Sequence, residues 1–163
     1  MDHVLHLRCL LCGKEYDPDE VAYVCPDHGV DGVLDVVYDY DLLRRRITRE
    51  SVRGGAGMWR FRGLLPVEPE TPIPPILVGD TPLIDAPRLA ATAGVARLWV
   101  KDEGRQPTAS LKDRASAMAV AKAAERGIST ITTASTGNAA AALAGMCAAS
   151  GVRAVIFVPA SAP

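Results

Sequence analysis

The feature that most constrains this chain is a regular alternation of element types after Gly94. Ala96 to Val100 (ARLWV) reads as a strand, and Ser110 to Arg126 as a helix closed by Gly127. Ser129 to Thr133 reads as a second strand, Gly137 to Ser150 as a second helix closed by Gly151, and Arg153 to Val158 as a third strand. Strand, helix, strand, helix, strand is the sequence form of an α/β fold, a parallel sheet with right-handed helical crossovers. Pro163 directly follows a strand, where ligand crevices of open α/β sheets usually lie. The expectation is an incomplete sheet belonging to a longer protein.

Upstream of that region the pattern is different. Residues 34–93 hold a charged helix, expected over Asp39 to Ser51, and then a segment rich in glycine and proline. Gly54, Gly55 and Gly57 followed by Pro66, Pro69, Pro72, Pro74 and Pro75 exclude a regular helix or central strand from Arg53 to Pro75. The chain is thus divided into residues 1–33, 34–93 and 94–163. Hydrophobic residues make up 48% and charged residues 23%, which excludes a disordered chain. A formal net charge of −1 offers no attraction to nucleic acid or an anionic membrane. MDHVLHLRCLLCG is not a signal peptide, and the Ala139–Ala149 run falls short of the ~20 residues needed to span a bilayer. A cytoplasmic protein is expected.

Residues 1–33 carry Cys9-Leu10-Leu11-Cys12-Gly13 and Cys25-Pro26-Asp27-His28-Gly29. Each turn offers two ligands with a glycine behind them, a spacing that lets Cys9, Cys12, Cys25 and His28 converge on one tetrahedral ion. Three thiolates and an imidazole with no open position point to structural zinc in a ribbon-like segment. Free thiols beside an incidental histidine are the plainer alternative. His3 and His6 read as exposed residues, and Cys147 as a small buried apolar one. Basic and aromatic residues do not interleave around the ribbon as a nucleic-acid module requires.

Two loop-to-helix junctions carry the remaining chemistry. In Pro107-Thr108-Ala109-Ser110-Leu111-Lys112-Asp113-Arg114, Ser110 reads as an N-cap, with Asp113 completing a capping-box-like arrangement. Lys112 then lies in the first helical turn. There the helix dipole, together with desolvation, favours the neutral amine that attacks an aldehyde. Taken alone, the segment reads more readily as a solvent-facing lysine beside a capping Asp113. Thr133-Ala134-Ser135-Thr136-Gly137-Asn138 runs from a strand into an alanine-rich helix and presents amides and hydroxyls suited to a carboxylate or phosphate. The alternative is an ordinary Ser or Thr N-cap. Neither GxGxxG nor GxxxxGK[ST] is present.

Together, Pro107 to Arg114 and Ala134-Ser135-Thr136-Gly137-Asn138 resemble the pyridoxal-phosphate (PLP) enzymes of the tryptophan synthase β-like fold. Lys112-Asp113-Arg114, Trp59-Arg60-Phe61-Arg62 with Leu65-Pro66, Gly79-Asp80-Thr81-Pro82-Leu83 and the cysteine ribbon resemble the threonine synthases among them. Ala109 and Leu111 stand where the family usually has Gly and Phe, and His28 where it often has Cys. The resemblance implies that Lys112 binds PLP covalently and shuttles protons. Ser135, Thr136, Gly137 and Asn138 would hold the substrate carboxylate, with Asn138 also near the cofactor's 3′ oxygen. It further implies conversion of O-phospho-L-homoserine to L-threonine and phosphate, commonly by a homodimer. The family's glycine-rich loop for the PLP phosphate would lie beyond residue 163, so this stretch alone is expected to bind PLP poorly and catalyse nothing. Rival expectations are a cysteate synthase, a threonine dehydratase, or a non-catalytic zinc-ribbon protein. Product analysis separates the first two from the main reading, and an absent PLP chromophore would favour the third.

Overall fold

The structure is a computed structural model that describes every residue except Ala22 and Pro163. It divides into two compact units, Met1–Gly54 with Arg60–Pro69, and Gly55–Trp59 with Glu70–Pro163.

In the first unit Val4–Cys9 forms β1, Glu15–Tyr16 forms β2 and Leu34–Tyr38 forms β3, ordered β2-β1-β3 in one antiparallel sheet. The register sets Leu7 opposite Tyr16 and Cys9 opposite Leu34. Both turns between β1 and β3 are thereby drawn to one end of the sheet. Cys9, Tyr16, Val21 and Cys25 form a buried cluster there, with Leu7 and Leu34 packed against it. So small an apolar cluster does not stabilise a fold by itself, and ribbons of this size generally depend on a metal or disulfides.

His3 is 8% exposed, contrary to the expectation of a solvent-facing residue. Its ring stacks on Tyr38 at 6.0 Å, and Nε2 lies 2.9 Å from the Leu65 carbonyl. The cause is an across-sheet partner, which local pattern does not reveal. His6 is half-buried, with Nε2 3.2 Å from Glu15.

The helix expected over residues 39–51 is two helices. Asp39 caps α1 (Tyr40–Arg46) by accepting from the Leu42 amide at 2.8 Å. Ile47 is then extended, and Thr48 opens α2 (Arg49–Arg53) through a reciprocal capping box with Ser51. The Thr48 hydroxyl satisfies an amide of a new first turn, so the chain restarts a helix where propensity alone would continue one. Gly57–Leu64 forms 3₁₀ turns within the proline- and glycine-rich stretch.

In the second unit β4 (Leu83–Asp85) pairs antiparallel with β5 (Trp99–Lys101), and α3 (Pro87–Ala93) lies between them in sequence. The three-stranded parallel arrangement is therefore corrected among the described residues. The first expected strand pairs with β4, and parallel pairing is confined to β6 (Thr130–Ala134) and β7 (Arg153–Phe157). Sequence period identifies a strand but not its neighbour. The helices α4 (Lys112–Glu125) and α5 (Asn138–Ala149) pack against each other. Ala117, Val120 and Ala121 of α4 and Ala142, Leu143, Met146 and Cys147 of α5 are buried, as expected of Cys147. No helix of the described residues is long and apolar enough to cross a membrane.

Candidate functional site

Lys112 is the first residue of α4, two positions later than the predicted helix start. Ser110 is not its N-cap in the expected manner. Its hydroxyl accepts from the Lys112 amide at 3.2 Å, and the cap position, Leu111, makes no side-chain cap bond. Asp113 does not reach back to Ser110 either. Its fully buried carboxylate accepts from the Thr108 amide at 2.7 Å and the Thr108 hydroxyl at 2.5 Å. The reason is Ala109, whose φ of +58° turns the backbone so that Thr108, rather than Ser110, meets the carboxylate. Thr108 is also held from the other side, because a Cβ on Gly145 of α5 would lie 2.7 Å from its Cγ2.

Lys112 itself is exposed, so the desolvation anticipated for it is not supplied by the described residues. Among those residues no carboxylate pairs with its ammonium. The result is a free amine on a clamped base.

Left-handed backbone at a non-glycine residue costs about 1–2 kcal/mol. Ala109→Gly relieves that strain and adds a glycine entropy penalty of about 0.5–1 kcal/mol. The expected net gain is about 0.5–1 kcal/mol, read as a small rise in the urea midpoint at unchanged slope.

The loop before the clamp is fixed by a second network. Glu103 accepts from Arg114 Nε and Nη2 at 2.8 Å each, from Thr81 Oγ1 at 2.7 Å and from Gln106 Nε2 at 2.8 Å. Gln106 Oε1 accepts from the Gly79 amide at 2.9 Å, and Lys101 Nζ donates to the Thr81 carbonyl. The Gly79-Asp80-Thr81 and Lys112-Asp113-Arg114 motifs are thus tied through Glu103, a residue the sequence reading did not single out. Its acidic character gave no local signal of a fork-to-fork pair eleven positions away.

The Arg114 guanidinium, followed by Thr81 and Gln106, holds the Glu103 carboxyl well below the usual carboxylate range. A carboxylate lowered in the folded state stabilises above its unfolded pKa of about 4.3 and loses that contribution as pH falls through the folded value. Glu103→Gln is expected to cost about 1–2 kcal/mol at neutral pH, between a surface and a buried pair because Arg114 is partly open to solvent. The gap from the parent should narrow below about pH 4, as urea titrations at several pH values would show.

The second expected site lies at the start of α5. Gly137 is the N-cap and makes no side-chain cap bond, while the Ser135 hydroxyl accepts from the Gly137 amide at 3.2 Å. Thr136, Gly137 and Asn138 are exposed and Ser135 is half-buried. The first-turn amides are therefore not taken by a Ser or Thr cap. The turn is exposed where the parallel β6–β7 pair ends, a position suited to an anion.

In the first unit the side-chain ligand atoms of Cys9, Cys12, Cys25 and His28 all lie within 4.8 Å of one another. His28 Nδ1 is 3.4 Å from Cys25 Sγ and 3.8 Å from Cys9 Sγ. These values bracket the S···N separation of about 3.6 Å set by tetrahedral zinc bonds of about 2.3 and 2.0–2.1 Å. Gly32 is needed for the approach, since a Cβ there would sit 2.7 Å from Cys25 Cβ and 2.8 Å from His28 Cβ. The Tyr16 hydroxyl, then His28, draws the Cys25 thiol down to about 6, toward the thiolate that binds metal.

A lysine heads one helix of this α/β unit and an exposed turn of Ser, Thr, Gly and Asn heads its neighbour. Residues 75–163 match the family described as pyridoxal-phosphate dependent enzyme, and the chain belongs to that family. It is 45% identical over 158 residues to a threonine synthase of Methanosarcina acetivorans, covering 95% of this chain and 37% of that relative. It is 39% identical over 153 residues to a threonine synthase of Methanocaldococcus jannaschii, covering 93% and 37%. A Synechocystis threonine synthase is 42% identical over 113 residues, covering 66% and 30%. The matches thus span only 30–37% of the length of these relatives.

Proposed function

We propose that the protein carrying this chain is a PLP-dependent threonine synthase, converting O-phospho-L-homoserine and water to L-threonine and phosphate. The observation that carries the reading is the 45% identity to a threonine synthase along 95% of the chain. That identity spans both helix-start motifs. The residues present fit the cofactor: an exposed, unpaired amine stands at Lys112, and uncapped amides stand at the start of α5.

When bound, PLP supplies an electron sink for bond-breaking at the amino acid's α-carbon. Lys112 would hold the cofactor through its Nζ and would take and return the proton at the substrate's Cα. Ser135, Thr136, Gly137 and Asn138 would hold the substrate carboxylate, and the Asn138 side chain would serve the cofactor's 3′ oxygen. The Thr108–Asp113 clamp fixes the backbone from which Lys112 acts. Cys9, Cys12, Cys25 and His28, through Nδ1, would hold a structural zinc.

The intact protein, supplied with PLP and O-phospho-L-homoserine, is expected to release phosphate and threonine in equal amounts. A visible cofactor band without phosphate release would overturn the substrate assignment and redirect it to related amino acids.

A further inference from the structure

We infer that Tyr16 is a positioning residue for the metal, donating its hydroxyl to the Cys25 thiolate and thereby strengthening the Cys9–Cys12–Cys25–His28 centre. The inference rests on the zinc reading proposed above and adds a residue outside the four ligands.

Three thiolates, one neutral imidazole and a divalent zinc leave the centre with net negative charge. That charge is stabilised by hydrogen-bond donors aimed at the sulfurs, which fix their lone pairs and spread the charge. Backbone supplies part of this. The Leu11 amide donates to Cys9 Sγ at 3.4 Å. That amide comes from the residue two positions on, within the tight turn of the first knuckle.

Tyr16 breaks that pattern, because it comes from the strand. Its side chain is buried, and its hydroxyl lies 3.1 Å from Cys25 Sγ. With sulfur as thiolate, the hydroxyl is the donor. The orientation is set from two directions. The pairing of Tyr16 with Leu7 across β1 fixes the backbone, and the Lys14 ammonium sits 5.4 Å from the ring centroid while also bonding Asp27 at 3.2 Å. An apolar core residue would need only the ring at this position. A phenol directed at a ligand sulfur inside an otherwise apolar cluster has a polar task, because a buried hydroxyl costs free energy unless it is bonded.

The test is zinc affinity by chelator competition, together with the cobalt(II) spectrum. It uses the parent chain, Tyr16→Phe, which keeps the ring, and Val21→Ala, which loosens the same cluster without touching a sulfur. Tyr16→Phe is expected to weaken zinc by about 10-fold or more and to shift the sulfur-to-cobalt band. Val21→Ala should leave that band in place. Equal affinity and an identical band in parent and Tyr16→Phe would overturn the role of Tyr16 while leaving the metal site standing. Equal weakening in both variants with no band shift would also overturn it, reducing Tyr16 to packing. A parent chain that binds neither metal would overturn the zinc reading itself.

Discussion

Lys112→Ala is expected to remove the visible band of covalently bound PLP from the intact protein and to lower threonine formation by at least about 10³-fold. The loss should come without unfolding. Lys112 is exposed, and surface changes away from caps and buried pairs usually stay within about 0.5 kcal/mol. Absorbance of the protein after removal of free cofactor, with circular dichroism alongside, separates chemistry from folding. A retained band would show that another amine holds the cofactor. Asp113 provides the contrast, since its carboxylate is fully buried on Thr108. Its removal should therefore disturb the fold as well as the chemistry.

The second large effect concerns the ribbon. Structural zinc sites contribute roughly 10–16 kcal/mol of apparent binding free energy at neutral pH, and much of this is folding free energy. A strong chelator is therefore expected to unfold the β2-β1-β3 sheet. Cys25→Ser should do the same without chelator, because Cys25 is both a ligand and a fully buried member of the small apolar cluster. Amide exchange read peptide by peptide would show protection lost across Val4–Tyr38 and retained in α4 and α5. Unchanged exchange across the ribbon after chelation would sink the structural role assigned to the metal.

Both sets of residues were accessible from sequence because their signals are local. Two metal-binding side chains three positions apart with a following glycine describe a turn whatever the rest of the chain does. Gly127 and Gly151 close α4 and α5 with φ of +63° and +67°, a conformation only glycine adopts freely. The strand–turn–helix at Thr133 to Asn138 likewise needs only its own residues, and the five elements after Gly94 follow from periodicity.

What the sequence by itself determined, then, was the order of those elements, the knuckle spacing, and the lysine and the anion turn at two helix starts. Tertiary structure decided the partners. It placed β5 beside β4 rather than in the parallel pair, turned Asp113 onto Thr108, buried His3 against Tyr38, and aimed Tyr16 at Cys25. Capping and turn chemistry act between residues a few positions apart, so period and spacing encode them. Most of these pairings join groups brought together by long-range packing or by an unexpected backbone turn at Ala109. Such geometry exists only once the chain has folded.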